Sequence, residues 1–198
     1  MNERKLICCI MNCPENIYQQ RIMDGLLARC ERYGYDLAVF SPLINSVHFY
    51  KDYFRAEFNL MELINFDKFD AVVVASLPMV GMGDATAFEQ VKEILRAKCR
   101  KPVVCLDLPI DDYATVYTDD TVAFRKITAH VLDVHKCKRI YFLAGSQNEG
   151  VIDYRLKGFR EEMAHRGITV NDEYIFFGDF WYTSGNALAE RLVSGELE

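Results

Sequence analysis

No apolar run in this 198-residue chain approaches the ~18–20 residues that a membrane-spanning helix needs, so the reading is of a soluble protein without a membrane partner. Dense basic clusters are scarce as well. Net charge is −6, and only Lys98 to Lys101 (KCRK) and Lys136 to Arg139 (KCKR) concentrate positive charge. A phosphate backbone is held by clustered Lys and Arg, so no nucleic acid is expected to bind this chain itself, and both clusters read as solvated edges. The seven cysteines, at 8, 9, 13, 30, 99, 105 and 137, lack the even, regular spacing of a secreted disulfide framework, and a reducing cytoplasm fits them best. Met1 to Cys13 (MNERKLICCIMNC) is not expected to act as a secretory signal: its apolar run, Leu6 to Met11, is short, and no small residue precedes Cys8 or Cys9.

The usual catalytic signatures are missing too. The four histidines, at 48, 130, 135 and 165, form no HExxH pair, and His130 and His135 are five apart, off a common helical face. No G-x-S-x-G elbow is present. Gly81-Met82-Gly83 has Thr86 where a dinucleotide loop needs its third glycine. Gly145 and Gly150 have the spacing of a phosphate-binding loop, but Val151 and Ile152 replace the Lys and Ser/Thr that would hold phosphate and Mg²⁺. Cys8 and Cys9 point to opposite faces of a strand and cannot join Cys13 around one metal. No cofactor, metal or catalytic residue is therefore expected.

What is present is alternation. Short β-rich runs at Leu6–Met11, Asp36–Ser41, Ala71–Ser76, Val103–Asp107, Thr115–Tyr117, Ile140–Ala144 and Tyr174–Phe177 alternate with stretches of helical period. This pattern predicts an α/β protein with parallel sheets covered by helices. Ile22, Leu26, Cys30 and Tyr33 mark the buried stripe of a helix over Asn16–Tyr33, ended by Gly34, and Gly167 plays the same part after Arg155–Arg166. Thr86 with Glu89 reads as a capping box for a helix to Lys98, and Asp120 or Thr121 starts one running to about His135. The chain lacks repeats and Gly/Ser linkers; the boundary between two lobes falls in Asp111–Asp119, giving lobes 1–117 and 118–198. The last helix, Thr183–Val193, has no following strand, so the second lobe is expected to be incomplete.

Open α/β sheets bind ligands beyond their strand C-termini. Asn12, Ser76 and Asp107 end the first, third and fourth strands, Arg155 opens the helix after the Gly145–Gly150 loop, and Phe180, Trp181 and Tyr182 follow the last strand. Asp and Arg each bridge two hydroxyls or a carboxylate, and aromatic faces pack on a sugar or nucleobase. The bland alternatives are that Asp107 caps a helix, that Arg155 pairs with Glu161 or Glu162, and that the aromatics are core.

Several segments look familiar. Lys138–Gly145 (KRIYFLAG), Arg155–Arg160 (RLKGFR), Arg166-Gly167-Ile168 and Gly178-Asp179-Phe180 with Ser184-Gly185 resemble the effector-binding domain of the lactose-repressor (LacI/GalR) family. Val116–Asp120 (VYTDD) is similar to that family's crossover into its second lobe, although Ala123 and Phe124 stand where glycines are usual. The resemblance implies the type I periplasmic-binding-protein fold, two Rossmann-like lobes that clamp a small effector, and a homodimer. It implies ligand contacts from Asn12, Tyr18, Ser76, Asp107, Tyr117, Arg155, Phe180 and Trp181. No helix-turn-helix precedes the first strand, so a DNA-binding or other output domain is expected elsewhere in the parent protein. Glu62–Asp67 and Gly178–Tyr182 look closer to sensor domains joined to a diguanylate cyclase (GGDEF) domain. The expectation is a cytoplasmic sensor of a sugar- or nucleobase-like metabolite. Two rivals stand beside it: a sugar-phosphate or nucleotide-sugar enzyme using Asp107 with Asp111 and Asp112, and a periplasmic binding protein.

Overall fold

The computed structural model describes residues 4–41, 59–80, 86–147 and 150–197. Its contacts divide the chain into two units, Met1–Tyr117 and Thr118–Glu198.

In the first unit, β1 (Leu6–Ile10), β2 (Asp36–Phe40), β3 (Ala71–Ala75), β4 (Val103–Leu106) and β5 (Ala114–Val116) form one sheet. Its order is β2-β1-β3-β4-β5 and every pairing is parallel. Successive strands step outward in opposite directions from the β1/β3 pair, so a crevice opens at the C-terminal ends of those two strands, where doubly wound sheets take their ligands. Strand alternation sends adjacent residues to opposite faces. Cys8, Ile10, Val72, Val74, Val103 and Cys105 enter one core with Val91, Ile94 and Leu95 of α2 (Thr86–Lys98). Cys9, Met11 and Ala75 meet Ile22, Met23 and Leu26 of α1 (Ile17–Tyr33) on the other face.

Asn16 caps α1 by accepting from Tyr18 N–H at 2.9 Å, and Gly34 ends it at φ 68°. Only glycine takes that left-handed conformation without steric cost. Tyr33 does not join the buried stripe as the spacing predicted: it is exposed, stacked beside Tyr35. Helix α2 begins at Thr86 as expected; the Thr86 side chain, like Gly81-Met82-Gly83 and His48, lies outside the described residues. The KCRK edge is engaged: Lys98 pairs with Glu62, and Arg100 donates to the Arg96 and Cys99 carbonyls that close α2. A cation there also complements the helix dipole.

The second unit holds a parallel pair, β6 (Phe142–Ala144) and β7 (Ile175–Phe177), with α3 (Asp120–Asp133), α4 (Gly150–His165) and α5 (Tyr182–Val193). Asp119 caps α3 through Val122 N–H at 3.0 Å. The Gly158 backbone lies so close to the Thr121 carbonyl that a Cβ would collide with it, which brings α3 and α4 together. Phe142, Ile152, Phe159 and Met163 fill the core between them. Helix α4 starts at Gly150 rather than at Arg155, so Arg155 stands in its second turn. The reason is the buried face: Ile152 is as deep as Phe159, and they lie seven residues apart, two turns along one stripe. His130 and His135 meet edge to face at 5.0 Å; α3 ends at Asp133, so His135 is no longer held to the helical spacing.

Among the described residues no helix is long and apolar enough to cross a membrane, and no group of three or more His, Cys, Asp or Glu side chains is placed to hold a metal. All seven cysteines are free thiols. Burial pushes the thiols of Cys8 and Cys9 up to about 12, so they pack as small apolar side chains rather than as nucleophiles.

Candidate functional site

Each unit presents its own set of polar side chains at the C-terminal edge of its strands. In the first unit, Asn12 and Ser76 follow β1 and β3 and so flank the crevice. Both are buried, 2% and 0% exposed, yet their roles differ. The Ser76 hydroxyl is shared between the Leu106 and Leu108 carbonyls at 2.5 and 2.8 Å and accepts from Leu108 N–H at 2.9 Å. Its hydrogen-bonding capacity braces the loop after β4. That loop carries Asp107 at φ 75°, its N–H bonded to the Val116 carbonyl at 2.8 Å. A left-handed Asp is tolerated because its short side chain bonds locally. The Asp107 carboxylate does not cap a helix; Oδ2 accepts the Tyr18 hydroxyl at 2.7 Å. The first turn of α1 is thereby tied to the end of β4. Asn12 Oδ1 accepts from the Cys13 thiol at 3.4 Å. Tyr117, the last residue of the unit, is exposed.

In the second unit a cavity of about 200 Å³ opens beside the ends of β6 and β7, lined by Phe124, Phe142, Gly145, Arg155, Phe180 and Trp181 among others. Three of the expected residues, Arg155, Phe180 and Trp181, therefore share one site. Arg155 pairs with neither Glu161 nor Glu162: its Nε donates to Asp120 Oδ1 at 3.2 Å. Its guanidinium lies 5.6 Å from the Phe124 ring centroid and 5.9 Å from that of Phe180. Two aromatic faces and one carboxylate thus hold the fork in place, each cation–π contact contributing about 0.5–1 kcal/mol at a partly exposed position. Only Nε has an acceptor among the described residues and the side chain is partly exposed, so the guanidinium keeps donors for a second acceptor.

Phe180 has φ 65°, unusual for a large side chain, and its ring packs over Gly145, where a Cβ would strike it. The turn is fixed by Asp179. Its carboxylate accepts from the Ser184 hydroxyl, from Thr183 Oγ1 at 2.7 Å and from Trp181 N–H at 2.9 Å, while its own N–H donates to Ser184 Oγ at 2.9 Å. These donors, led by Ser184 and then Thr183, lower the Asp179 carboxyl to about 2. Such a network holds Phe180 in a conformation costing about 1–2 kcal/mol.

Asp120, Phe124, Asp179 and Ser184 were not among the expected site residues. Asp179, Thr183 and Ser184 are close enough in sequence to read as a helix-start motif; the Asp120–Arg155 pairing spans 35 residues and leaves no local signal. Asp111, which stands near the enzyme alternative's Asp107 in sequence, is clamped by Arg96 at 2.6 and 2.5 Å. That pairing holds its carboxyl below the usual range, the opposite of what a general acid needs.

The fold defines the class: it is α/β with parallel sheets and matches LacI-family structures of the periplasmic-binding-protein-like kind. A LacI-family regulatory protein from Chloroflexus aggregans superimposes with a TM-score of 0.69 at 21% identity, over 98% of this chain and 64% of that one. The transcriptional regulator CelR in complex with cellobiose gives 0.66 at 18% identity, over 98% and 57%. In sequence the chain is similar to the transcriptional repressor PurR of Vibrio vulnificus (strain CMCP6), 24% identical over 197 residues. That match covers 98% of this chain and 53% of the repressor, so the chain spans about half the length of the relative it matches. No family model matches the chain.

Proposed function

We propose that this chain is the effector-sensing part of a cytoplasmic, dimeric transcriptional regulator of the LacI type, and that it binds a small polar metabolite of the sugar or nucleobase kind. The observation that supports this most is the second-unit cavity, with Arg155 pinned between Phe124 and Phe180 and anchored by Asp120. Aromatic walls take the apolar face of a sugar ring or base, and the free end of a held guanidinium takes its oxygens. The Tyr18–Asp107 pair supplies a polar group at the strand edge of the first unit. The cellobiose bound to CelR and the repressor role of PurR are consistent with this reading. No observation favours the cyclase-linked alternative, and the relatives reported lend it no support.

In this account ligand binding acts by shifting a conformational equilibrium, which it does only to the extent that one state binds more tightly than the other. The test is a thermal-shift screen of the protein with D-glucose, cellobiose, adenine, guanine and glucose 6-phosphate, followed by calorimetry on any compound that raises Tm. The expected result is one saturable binder whose affinity falls in Arg155→Ala by about 2–5 kcal/mol, the loss for one partner of a desolvated charged hydrogen bond. Unchanged affinity in that variant removes Arg155 from the site.

A further inference from the structure

The walls of the second-unit cavity come from separate elements. Phe142 belongs to β6, Arg155 to α4, Phe180 and Trp181 to the turn after β7, and Phe124 to α3. Phe124 lies one turn on from Asp120, so its ring and the Asp120 carboxylate share a face of the helix. Both meet Arg155: Asp120 accepts from Nε at 3.2 Å, and the centroid of the Phe124 ring lies 5.6 Å from the guanidinium. The same ring lies 5.7 Å from that of Phe142, tilted by 53°, and packs against the core of the unit. Its stem is held as well. The Phe124 Cβ sits 3.1 Å from the place where a Cβ on Gly158 would stand, so α4 leaves it no room to withdraw on that side. A ring confined by a strand residue, a cation and a neighbouring helix acts as a fixed wall, because close-packed side chains do not yield without cost.

The volume enclosed is about 200 Å³. Sites for drug-sized molecules run from about 300 to 1,000 Å³, so this one suits a smaller body. We infer that Phe124 is a size-selecting residue of this cavity, restricting its ligand to one cyclic unit, a monosaccharide or a free nucleobase, and excluding a second unit attached to it, as in a disaccharide or a nucleoside. The inference rests on the effector-binding reading and deepens it by naming the size of the ligand and the residue that sets it. Phe180 packs over Gly145 in a place set by the Asp179 turn. Phe124 comes from another element, so it can be shortened without disturbing that turn. Shortened to alanine, it adds the volume of its ring to the cavity next to the Arg155 donors, and the extra room takes the second unit of a larger ligand.

Calorimetry compares D-glucose with cellobiose, and adenine with adenosine, on the wild type, Phe124→Ala and Phe124→Leu, with melting to show that each variant is folded. In the wild type, the smaller compound of the pair that binds is expected to bind at least tenfold more tightly than the larger. In Phe124→Ala that ratio is expected to fall by about tenfold, because the larger compound gains affinity. Phe124→Leu keeps an apolar contact with Phe142 and is read in the same way where the alanine variant melts too low to titrate. A wild type that prefers cellobiose or adenosine overturns the inference and leaves effector binding standing, and so does a folded variant with an unchanged ratio. Loss of folding in both variants shows that Phe124 serves the core alone and overturns it too. Failure of the wild type to bind any of the four removes the inference; failure to bind any compound of the thermal-shift screen as well removes the effector-binding reading with it.

Discussion

Arg155 and Asp179 show how single side chains organise the second-unit cavity. Arg155 is fixed through contacts that leave part of its donor fork available. Asp179 touches no cavity surface; it sets the turn that places Phe180 and Trp181. Its carboxyl is lowered to about 2 from an ordinary value of 3.8, so its contribution is complete above pH 4 and is lost as the pH falls toward 2. Trp181 is the single tryptophan of the chain and reports this directly. Its fluorescence is expected to change between about pH 4 and pH 2 in the wild type, whereas Asp179→Asn shows no such transition. Gly145→Ala is a second test of the same corner. The added methyl displaces the Phe180 ring, and weaker ligand binding at near-normal Tm is the expected outcome, measured by calorimetry and melting.

At the scale of elements, α3 and α4 depend on one close approach. Gly158→Ala adds a methyl where the Thr121 carbonyl already sits. Alanine is the better helix former by about 1 kcal/mol, but overpacking against backbone costs about 1–3 kcal/mol, and the variant is expected to lose stability in urea denaturation. The strands and helices of both units were largely legible in the sequence because their signals are local. Alternating apolar runs and Gly34 and Gly167 as left-handed ends each act within a few residues, whereas the cap of α3 falls at Asp119, one residue before the Asp120 or Thr121 that the spacing offered. The start of α4 was missed because glycines at 145 and 150 suggest a loop, although Ile152 already belongs to the buried stripe of Phe159 and Met163. The site was half legible. Strand-end positions pointed to Asn12, Ser76, Asp107, Phe180 and Trp181, but whether a side chain is spent on the backbone, as Ser76 is, depends on Leu106 and Leu108 some 30 residues away. The pairing of Asp120 with Arg155 was invisible for the same reason: it spans 35 residues and exists only after folding.

For the whole molecule, the account requires the two units to act in one sensing protein. The proposed dimer is a separate part of the reading, and sedimentation equilibrium is expected to return twice the mass of the chain. A monomer at all concentrations contradicts the dimeric part of the reading while leaving the cavity untouched. The central claim is that the cavity around Arg155 binds a small polar metabolite, and calorimetric titration of wild type and Arg155→Ala with the compound selected by thermal shift tests it most directly. The account predicts saturable one-to-one binding by the wild type and a loss of about 2–5 kcal/mol in the variant. Equal affinity in both, or heat of binding from neither, contradicts it.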